Sequence, residues 1–182
     1  MVRHVDYGAS TIMESPTEER DAAFAELLIR YQRPVLNFVY RMLGDVTEAE
    51  DVAQEVFVRA YRHFGEYDPS RKLSTWLFAL ARNAAIDRLR YRQRHPTEPL
   101  DAAPEPAAVS NEVANRELGE QISTAIQSLP EDQRTAVVLA EYHGLSYAEI
   151  AEIMDCSVKS VESRLYRAKA HLREKLRGFL PS

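Results

Sequence analysis

The sequence predicts an all-α protein of two small helical domains, joined by a flexible Pro-rich linker, with a helix-turn-helix at the C-terminus. Apolar residues recur at steps of three and four along most of the chain, as on amphipathic helices. Only six of the 182 residues are glycine, and four prolines fall between residues 95 and 110. We therefore divide the chain into a disordered tail (1–16), a first domain (17–94), the linker (95–110) and a second domain (111–182).

The first domain begins with apolar positions that predict a helix from Thr17. Pro34 is tolerated at a helix start, so we expect a second helix to begin there. Thr47 and Glu50 have the spacing of a capping box and predict the start of another helix, which continues to about Phe64. We expect its apolar side to face the core, and its outer side to carry Asp51, Gln54, Glu55 and Arg59.

Residues 65–72 predict a loop by their Gly, Pro, Asp and Ser content, and a long helix follows from about Leu73 to Gln93. One side of that helix carries Trp76, Asn83, Asp87 and Arg90. A tryptophan beside polar side chains on a basic helix suits the stacking and hydrogen bonding of bases. A half-buried tryptophan that packs on a neighbouring element explains the same pattern, and the sequence leaves both interpretations open.

In the second domain, a helix starts near Asn111 and another runs from about Pro130 through His143. Ser146 and Glu149 then form a capping box, and Ser157 predicts the start of a last helix after a tight turn. That last helix has an apolar stripe at Val161, Leu165, Ala168, Leu172 and Leu176, and an opposite face with Lys159, Ser160, Ser163 and Arg167.

This layout is typical of a helix-turn-helix, whose second helix fits a DNA major groove. The alternative is a plain helix pair with a solvated outer face. The distribution of charge along the chain favours nucleic-acid binding over a plain helix pair. The net charge is −5, but residues 71–94 carry +6 and residues 156–177 carry +5, whereas residues 45–70 carry −5 and residues 97–133 carry −7. A protein that touches nucleic acid at two places, and another partner between them, would have this distribution.

Other classes find little support in the sequence. There is no apolar run long enough for a membrane span, and the first fifteen residues do not resemble a signal peptide. Cys156 is the only cysteine, and the five histidines lack metal-ligand spacing, so we expect no metal, no cofactor and a reducing, cytoplasmic location. A helical enzyme would need a catalytic set or a phosphate loop, and an ordinary transcriptional regulator would need a sensor domain. We find neither pattern.

Three motifs in this order resemble the extracytoplasmic-function (ECF) sigma factors of bacterial RNA polymerase, over about residues 17–177. The first is Asp51-Val-Ala-Gln-Glu-Val-Phe57, which is similar to the family's core-polymerase-binding helix. The second, residues 74–87, resembles the helix that reads the −10 promoter element. The third, Leu129-Pro-Glu-Asp-Gln-Arg134 with the helix-turn-helix, is similar to the −35 reader.

The resemblance implies a role for each surface. Core polymerase would bind Asp51, Gln54 and Glu55 through its clamp helices. The melted −10 strand, with a flipped base, would bind a site formed by Tyr67, Asp68, Ser70, Arg71, Lys72, Trp76, Asn83 and Arg90. Duplex −35 DNA would contact Lys159, Ser160, Glu162, Ser163, Tyr166 and Arg167.

The resemblance also implies promoter-specific initiation without bond chemistry and restraint by an anti-sigma factor. Glu162 departs from the family pattern, because many members have Arg or Lys there. An acid at that position accepts a hydrogen bond from cytosine N4 but repels phosphate. In the family the linker threads toward the RNA path, and here it carries Glu98, Asp101 and Glu105 without Lys or Arg. It is either a mimic of nucleic acid or a passive tether.

Overall fold

The protein was analysed as a computed structural model that describes residues 16–68, 70–96 and 113–179. The predicted tail up to residue 15, and linker residues 97–110, lie outside the described residues. The helices are α1 (Pro16–Leu43), α2 (Val46–His63), α3 (Leu73–Arg94), α4 (Val113–Gln127), α5 (Glu131–Val137), α6 (Tyr147–Met154) and α7 (Val158–Lys175). A 3₁₀ turn, Phe64–Glu66, follows α2, and a π-helical segment, Val138–Tyr142, continues α5. The predicted all-α class is confirmed, with no strand in the described part of the chain.

Helix α1 passes through Pro34 without ending, so the predicted break there is wrong. A proline inside a helix removes one backbone hydrogen bond and crowds the preceding turn, at a cost of about 3 kcal/mol. Leu27 before the proline, and Val35 and Phe38 after it, are all buried in the same core. Full burial of each such side chain contributes roughly 1.5–3 kcal/mol, which offsets the cost of the proline.

The start of α2 also differs from the prediction. Asp45 is the N-cap, and its carboxylate accepts a hydrogen bond from the backbone N–H of Glu48 at 2.8 Å. Thr47 therefore lies inside the first turn, where its side chain cannot cap the helix. The extended backbone of Asp45 follows Gly44, which ends α1 at a φ of +75°, a conformation that favours glycine.

The helix-turn-helix starts as predicted. Ser146 and Glu149 form a reciprocal capping box at α6, and the Ser157 hydroxyl accepts from the N–H of Ser160 at α7. Asp155, between the two helices, has a left-handed backbone with φ of 49°. These contacts span three residues, so local sequence suffices to specify them.

Helices α1, α2 and α3 pack on one another and form a first unit. In the second unit, α4, α5 and α6 each pack on α7. Val52, Val56 and Leu77 lie at the centre of the first unit, and Ile150 and Val161 in the second. The two units are in contact: α4 and α5 pack on α1, and α6 packs on α3. Their buried side chains form one continuous core.

Candidate partner and nucleic-acid interfaces

The outer face of α2 carries Asp51, Gln54 and Glu55, and all three are exposed. Glu55 accepts a hydrogen bond from Arg59 one turn later, which holds its carboxylate along the helix. Asp51 and Glu55 are four residues apart and therefore share one side of the helix. The structure thus leaves this acidic face accessible to a partner.

Beside this face, a groove of about 640 Å³ runs between α1 and α2. Gln54 lines it, and its apolar walls come from Phe24, Leu28, Leu36, Ala53, Phe57 and Tyr61. Sequence reasoning missed this groove, because it used the apolar positions of α1 only to predict a helix and did not pair them with α2. The signal was a second apolar row on α2, at Ala53, Phe57 and Tyr61, spaced by four residues. The charged residues that line the groove are Glu50 and Arg62, and the exposed acids Asp51 and Glu55 lie beside it on α2. The rim is therefore mostly acidic and suits a partner with apolar and basic side chains.

The loop between α2 and α3 is ordered by short-range hydrogen bonds. The Asp68 carboxylate accepts from the backbone N–H of Ser70 at 2.9 Å and from its hydroxyl at 2.8 Å. These two bonds, backbone first, lower the pKa of Asp68 below its usual value. The Tyr67 hydroxyl donates to the carbonyl of Arg71 and so closes the loop. Pro69, inside the loop, is not among the described residues.

Trp76 is half-buried and its ring centre lies 5.3 Å from that of Tyr67. Tyr67 in turn stacks on Phe64 at 6.5 Å. Packing on neighbouring elements therefore accounts for the position of Trp76, and base stacking stays a prediction. Asn83 and Arg90 lie on the same side of α3 and are exposed. The loop and this side of α3 thus form one continuous polar and aromatic surface.

Three cations of this surface contact the second unit. The Arg71 Nε donates to Glu152 at 2.7 Å, and the Lys72 Nζ donates to Glu149 at 2.8 Å. The bond from Lys72 is the main reason why the pKa of Glu149 is lowered to about 2, and the same bond raises the pKa of Lys72. Arg90 lies 3.9 Å from Glu131. No local pattern could have predicted these pairs, because the hydrogen-bonded partners are 77 and 81 residues apart.

The outer face of α7 carries the side chains that the sequence assigned to DNA. Lys159, Glu162, Ser163, Tyr166 and Arg167 are exposed, and Ser160 is partly exposed. A notch of about 360 Å³, between this face and the start of α5, is lined by Ser160, Ser163 and Arg167 together with Pro130, Asp132, Gln133 and Arg164. The polar side chains thus lie on one side of a helix, as major-groove reading requires.

Arg164 is a residue of this helix whose role sequence reasoning missed. Its guanidinium donates to Asp132 at 3.1 Å and to the Cys156 sulfur at 2.9 Å. It therefore ties α7 to the start of α5 and to the turn before α7, and it positions the outer face. Glu162, by contrast, has no ion-pair partner among the described residues, so its charge faces solvent.

Neither a metal site nor a membrane span emerges from the parts of the chain that are described. In those parts, no three His, Cys, Asp or Glu side chains are placed to hold a metal ion. None of the described helices combines the length and the apolar character needed to cross a bilayer.

Comparison with known proteins identifies related chains. Residues 27–95 match the family model for sigma-70 region 2, and residues 119–172 match the model for sigma-70 region 4. The chain is 38% identical over 174 residues to the ECF RNA polymerase sigma factor SigW of Bacillus subtilis, covering 85% of this chain and 89% of that protein. It is also 38% identical over 172 residues to the ECF RNA polymerase sigma-E factor of Escherichia coli K12, covering 87% and 88%.

Two solved structures have a similar fold. The sigma factor RpoE in complex with the anti-sigma factor NepR, from Bartonella quintana, aligns with a TM-score of 0.74 at 25% identity, over 85% of this chain and 97% of that one. CnrH in complex with the cytosolic domain of CnrY aligns with a TM-score of 0.67 at 28% identity, over 87% and 90%.

Proposed function

The chain belongs to the ECF sigma factors of RNA polymerase, and on that premise we propose how its surfaces share the work of promoter-specific initiation. A sigma factor binds core RNA polymerase and directs it to promoters. The observation that best supports our assignment is the presence of three separate surfaces on one chain. These are the acid-rimmed groove of α1 and α2, the aromatic and basic surface of the loop and α3, and the polar face of α7.

Core polymerase binds the first surface in our proposal. Asp51 and Glu55 offer two exposed carboxylates to basic side chains of the clamp helices. Gln54 lies at the edge of the apolar groove, where it can hydrogen-bond while Phe57 and Tyr61 bury apolar side chains of the polymerase. The charged rim gives orientation and association rate, and the apolar groove gives most of the affinity.

The second surface holds the melted −10 strand. Extruding a base from the stack costs a few kcal/mol, which stacking and hydrogen bonds to the base edge must offset. The loop around Asp68 and Ser70 provides such hydrogen-bonding groups, and Asn83 adds an amide beside it. The Tyr67 and Trp76 rings give stacking partners, and Arg71, Lys72 and Arg90 provide positive charge for the backbone phosphates.

The third surface enters the major groove at −35. Arg167 can make a bidentate contact with guanine, and Ser160, Ser163 and Tyr166 can donate to base edges or phosphates. Lys159, near the start of α7, adds a phosphate contact. Glu162 selects cytosine where it reaches a base.

The protein works by recruitment in this proposal and catalyses no bond chemistry. We place its action in the cytoplasm, where polymerase and promoters are. The similar structures of RpoE and CnrH are complexes, and the partner of RpoE is described as an anti-sigma factor. We extend that kind of restraint to this chain, on the same surfaces.

A charge reversal tests the core-binding assignment. We expect Asp51→Arg with Glu55→Arg to abolish binding to core polymerase and run-off transcription, while circular dichroism stays unchanged. The matched control is Glu19→Arg with Glu26→Arg, which makes the same charge change at exposed positions on the far side of α1 from the groove. Normal competition for core enzyme by the first double variant would contradict the assignment. Binding to duplex promoter DNA without polymerase, and no initiation with it, would favour the ordinary regulator instead.

A further inference from the structure

One end of the groove between α1 and α2 is built from a stretch of α1 that has little other support. Between residues 19 and 26, only Arg20 and Phe24 are not exposed, and Leu27 is the first described residue of α1 that lies in the core. Phe24 lines the groove. A helix end with so little buried apolar surface opens easily. The wall that Phe24 provides therefore depends on the contacts that hold this end of α1 to α2.

The opposite end of the groove is held by the chain itself. Leu36 and Ala53 line the groove there, and Gly44 and Asp45 are the only residues between α1 and α2. A connection of two residues keeps the two helices side by side at that end. At the Phe24 end no short connection joins the helices, so side chains must set their separation.

Four residues make these contacts, and we call Arg20, Asp21, Phe24 and Tyr61 the clasp. The Tyr61 hydroxyl donates to the Asp21 carboxylate at 2.8 Å, and the Arg20 guanidinium donates to the backbone carbonyl of Tyr61 at 2.9 Å. The same guanidinium lies 4.9 Å from the centre of the Tyr61 ring. The Phe24 ring meets the Tyr61 ring edge-on, with centres 5.1 Å apart. The clasp thus joins the start of α1 to the last turn of α2.

Tyr61 has two separable parts in this arrangement. Its ring lines the groove, and its hydroxyl points to Asp21. The hydrogen bond to Asp21 is the main reason why the pKa of Tyr61 is raised above its usual value. Because the hydroxyl belongs to the clasp and the ring to the groove, a phenylalanine would remove one without the other.

From these contacts we propose that Arg20 and Asp21 are positioning residues for the binding of core polymerase. Acting through Tyr61, they hold the start of α1 against α2, so that the apolar groove is formed before polymerase binds. This inference rests on the proposed function in one respect, the assignment of the groove to core polymerase. A chain without the clasp has a formed groove in only a fraction of molecules, and its apparent affinity for core polymerase falls by that fraction.

Two substitutions break the clasp and leave the apolar wall of the groove in place. Tyr61→Phe keeps the ring and removes the hydroxyl, and Asp21→Ala removes the acceptor. Asp21→Asn is the conservative variant, because its side-chain oxygen still accepts from the tyrosine hydroxyl. The matched control is Tyr91→Phe with Glu120→Ala, which removes one tyrosine hydroxyl and one carboxylate at exposed positions on α3 and α4.

Hydrogen exchange of the free full-length chain gives the first readout. We expect the backbone amides of residues 19–26 to exchange faster in Tyr61→Phe and in Asp21→Ala than in the wild type. The amides of Val52 and Val56, which lie in the core of α2, should exchange as in the wild type. Asp21→Asn and the control should match the wild type throughout.

The second readout is competition with fluorescein-labelled wild type for core RNA polymerase. Each single variant, Tyr61→Phe or Asp21→Ala, should bind about 3- to 10-fold more weakly, the range expected from one hydrogen bond. The double variant should bind no more weakly than either single variant, because both changes remove the same bond. Asp21→Asn and the control should bind like the wild type.

Wild-type affinity in both single variants would overturn the clasp as a positioning device, even if their exchange is faster, because its role would then be structural only. Additive losses in the double variant would overturn it as well, since each residue would then act by itself. The wild type separates the two ideas. If the wild type fails to bind core polymerase, the proposed function is wrong. If it binds and the single variants bind equally well, only the clasp is wrong.

Discussion

Lowering the pH should lower the free energy of unfolding of this protein, because the partly buried ring of His143 resists protonation in the folded state. Its ring follows the π-helical segment and packs between Phe38 and Phe78, and its Nε2 is buried without a hydrogen-bond partner among the described residues. Burial, and next the charge of Arg41, lower the pKa of His143 from 6.5 to about 4. The folded protein therefore holds the ring neutral, whereas the unfolded chain binds a proton near pH 6.5.

The sign and the size of the effect follow from this difference. The unfolded chain binds more protons than the folded chain between these two pKa values. The contribution of His143 to the free energy of unfolding is therefore complete above pH 6.5 and is lost as the pH falls toward 4. Each pH unit in that window is worth at most about 1.4 kcal/mol, so pH 5 costs about 2 kcal/mol. The ring is partly exposed, and solvent screening reduces this to about 1–2 kcal/mol. For a chain of this size, that lowers the melting temperature by roughly 2–8 °C.

Thermal and urea unfolding at pH 7.5 and pH 5 measure this loss in the wild type and in His143→Leu. Other groups titrate in the same window, so the quantity compared is the change between the two pH values in each protein. We expect the change to be smaller by about 1–2 kcal/mol in His143→Leu, because leucine binds no proton. The control is His63→Gln, which removes an exposed histidine bonded to Glu66 at 2.9 Å on the surface, and we expect it not to reduce the pH dependence by this amount. Equal pH dependence of the wild type and His143→Leu would refute the reasoning.

The DNA surfaces and the linker yield further predictions. Arg167→Ala should cost about 1–3 kcal/mol of binding and relax one promoter position in a selection from randomised −35 sequences, whereas a uniform loss over all sequences would indicate a phosphate contact. Glu162→Arg should change the base preference in the same selection, and an unchanged profile would mean that this acid reads no base. Replacing Glu98, Asp101 and Glu105 by Ser should alter the ratio of abortive to full-length transcripts at unchanged promoter binding if the linker mimics nucleic acid. An unchanged ratio would favour a passive tether.

Several features could be predicted from short stretches of sequence, because the contacts that create them are local. The helix-turn-helix is the clearest case. Ser146, Glu149 and Ser157 cap their helices through groups three residues away, and Val161 and Leu165 define the buried side of α7 by spacing alone. The exposure of the α7 residues assigned to DNA follows from the same periodicity. Their roles in base reading stay predictions.

Where the local sequence allows two structures, the packing of the fold selects one of them. Pro34 is compatible with a helix start, but burial on both sides of it keeps α1 continuous. Asp45 and Thr47 are both acceptable N-caps, and the backbone that leaves Gly44 makes Asp45 the cap. The continuity of α1 and the N-cap of α2 both depend on where a segment lies in the folded protein. The spacing of residues along the sequence does not give that position.

The sequence by itself determined the helix-turn-helix and the outward faces of α2 and α7, because each depends on residues within one or two turns. It also determined the order of the three motifs. The tertiary structure determined which grooves and side chains lie next to those faces. The groove beside Gln54 needs α1 and α2 together, and the hydrogen bond from the Gln127 amide to the carbonyl of Arg41 joins residues 86 positions apart. Such contacts are selected by the packing of whole helices against one core. For that reason the pairing of Arg71 with Glu152 could be found only in the folded chain.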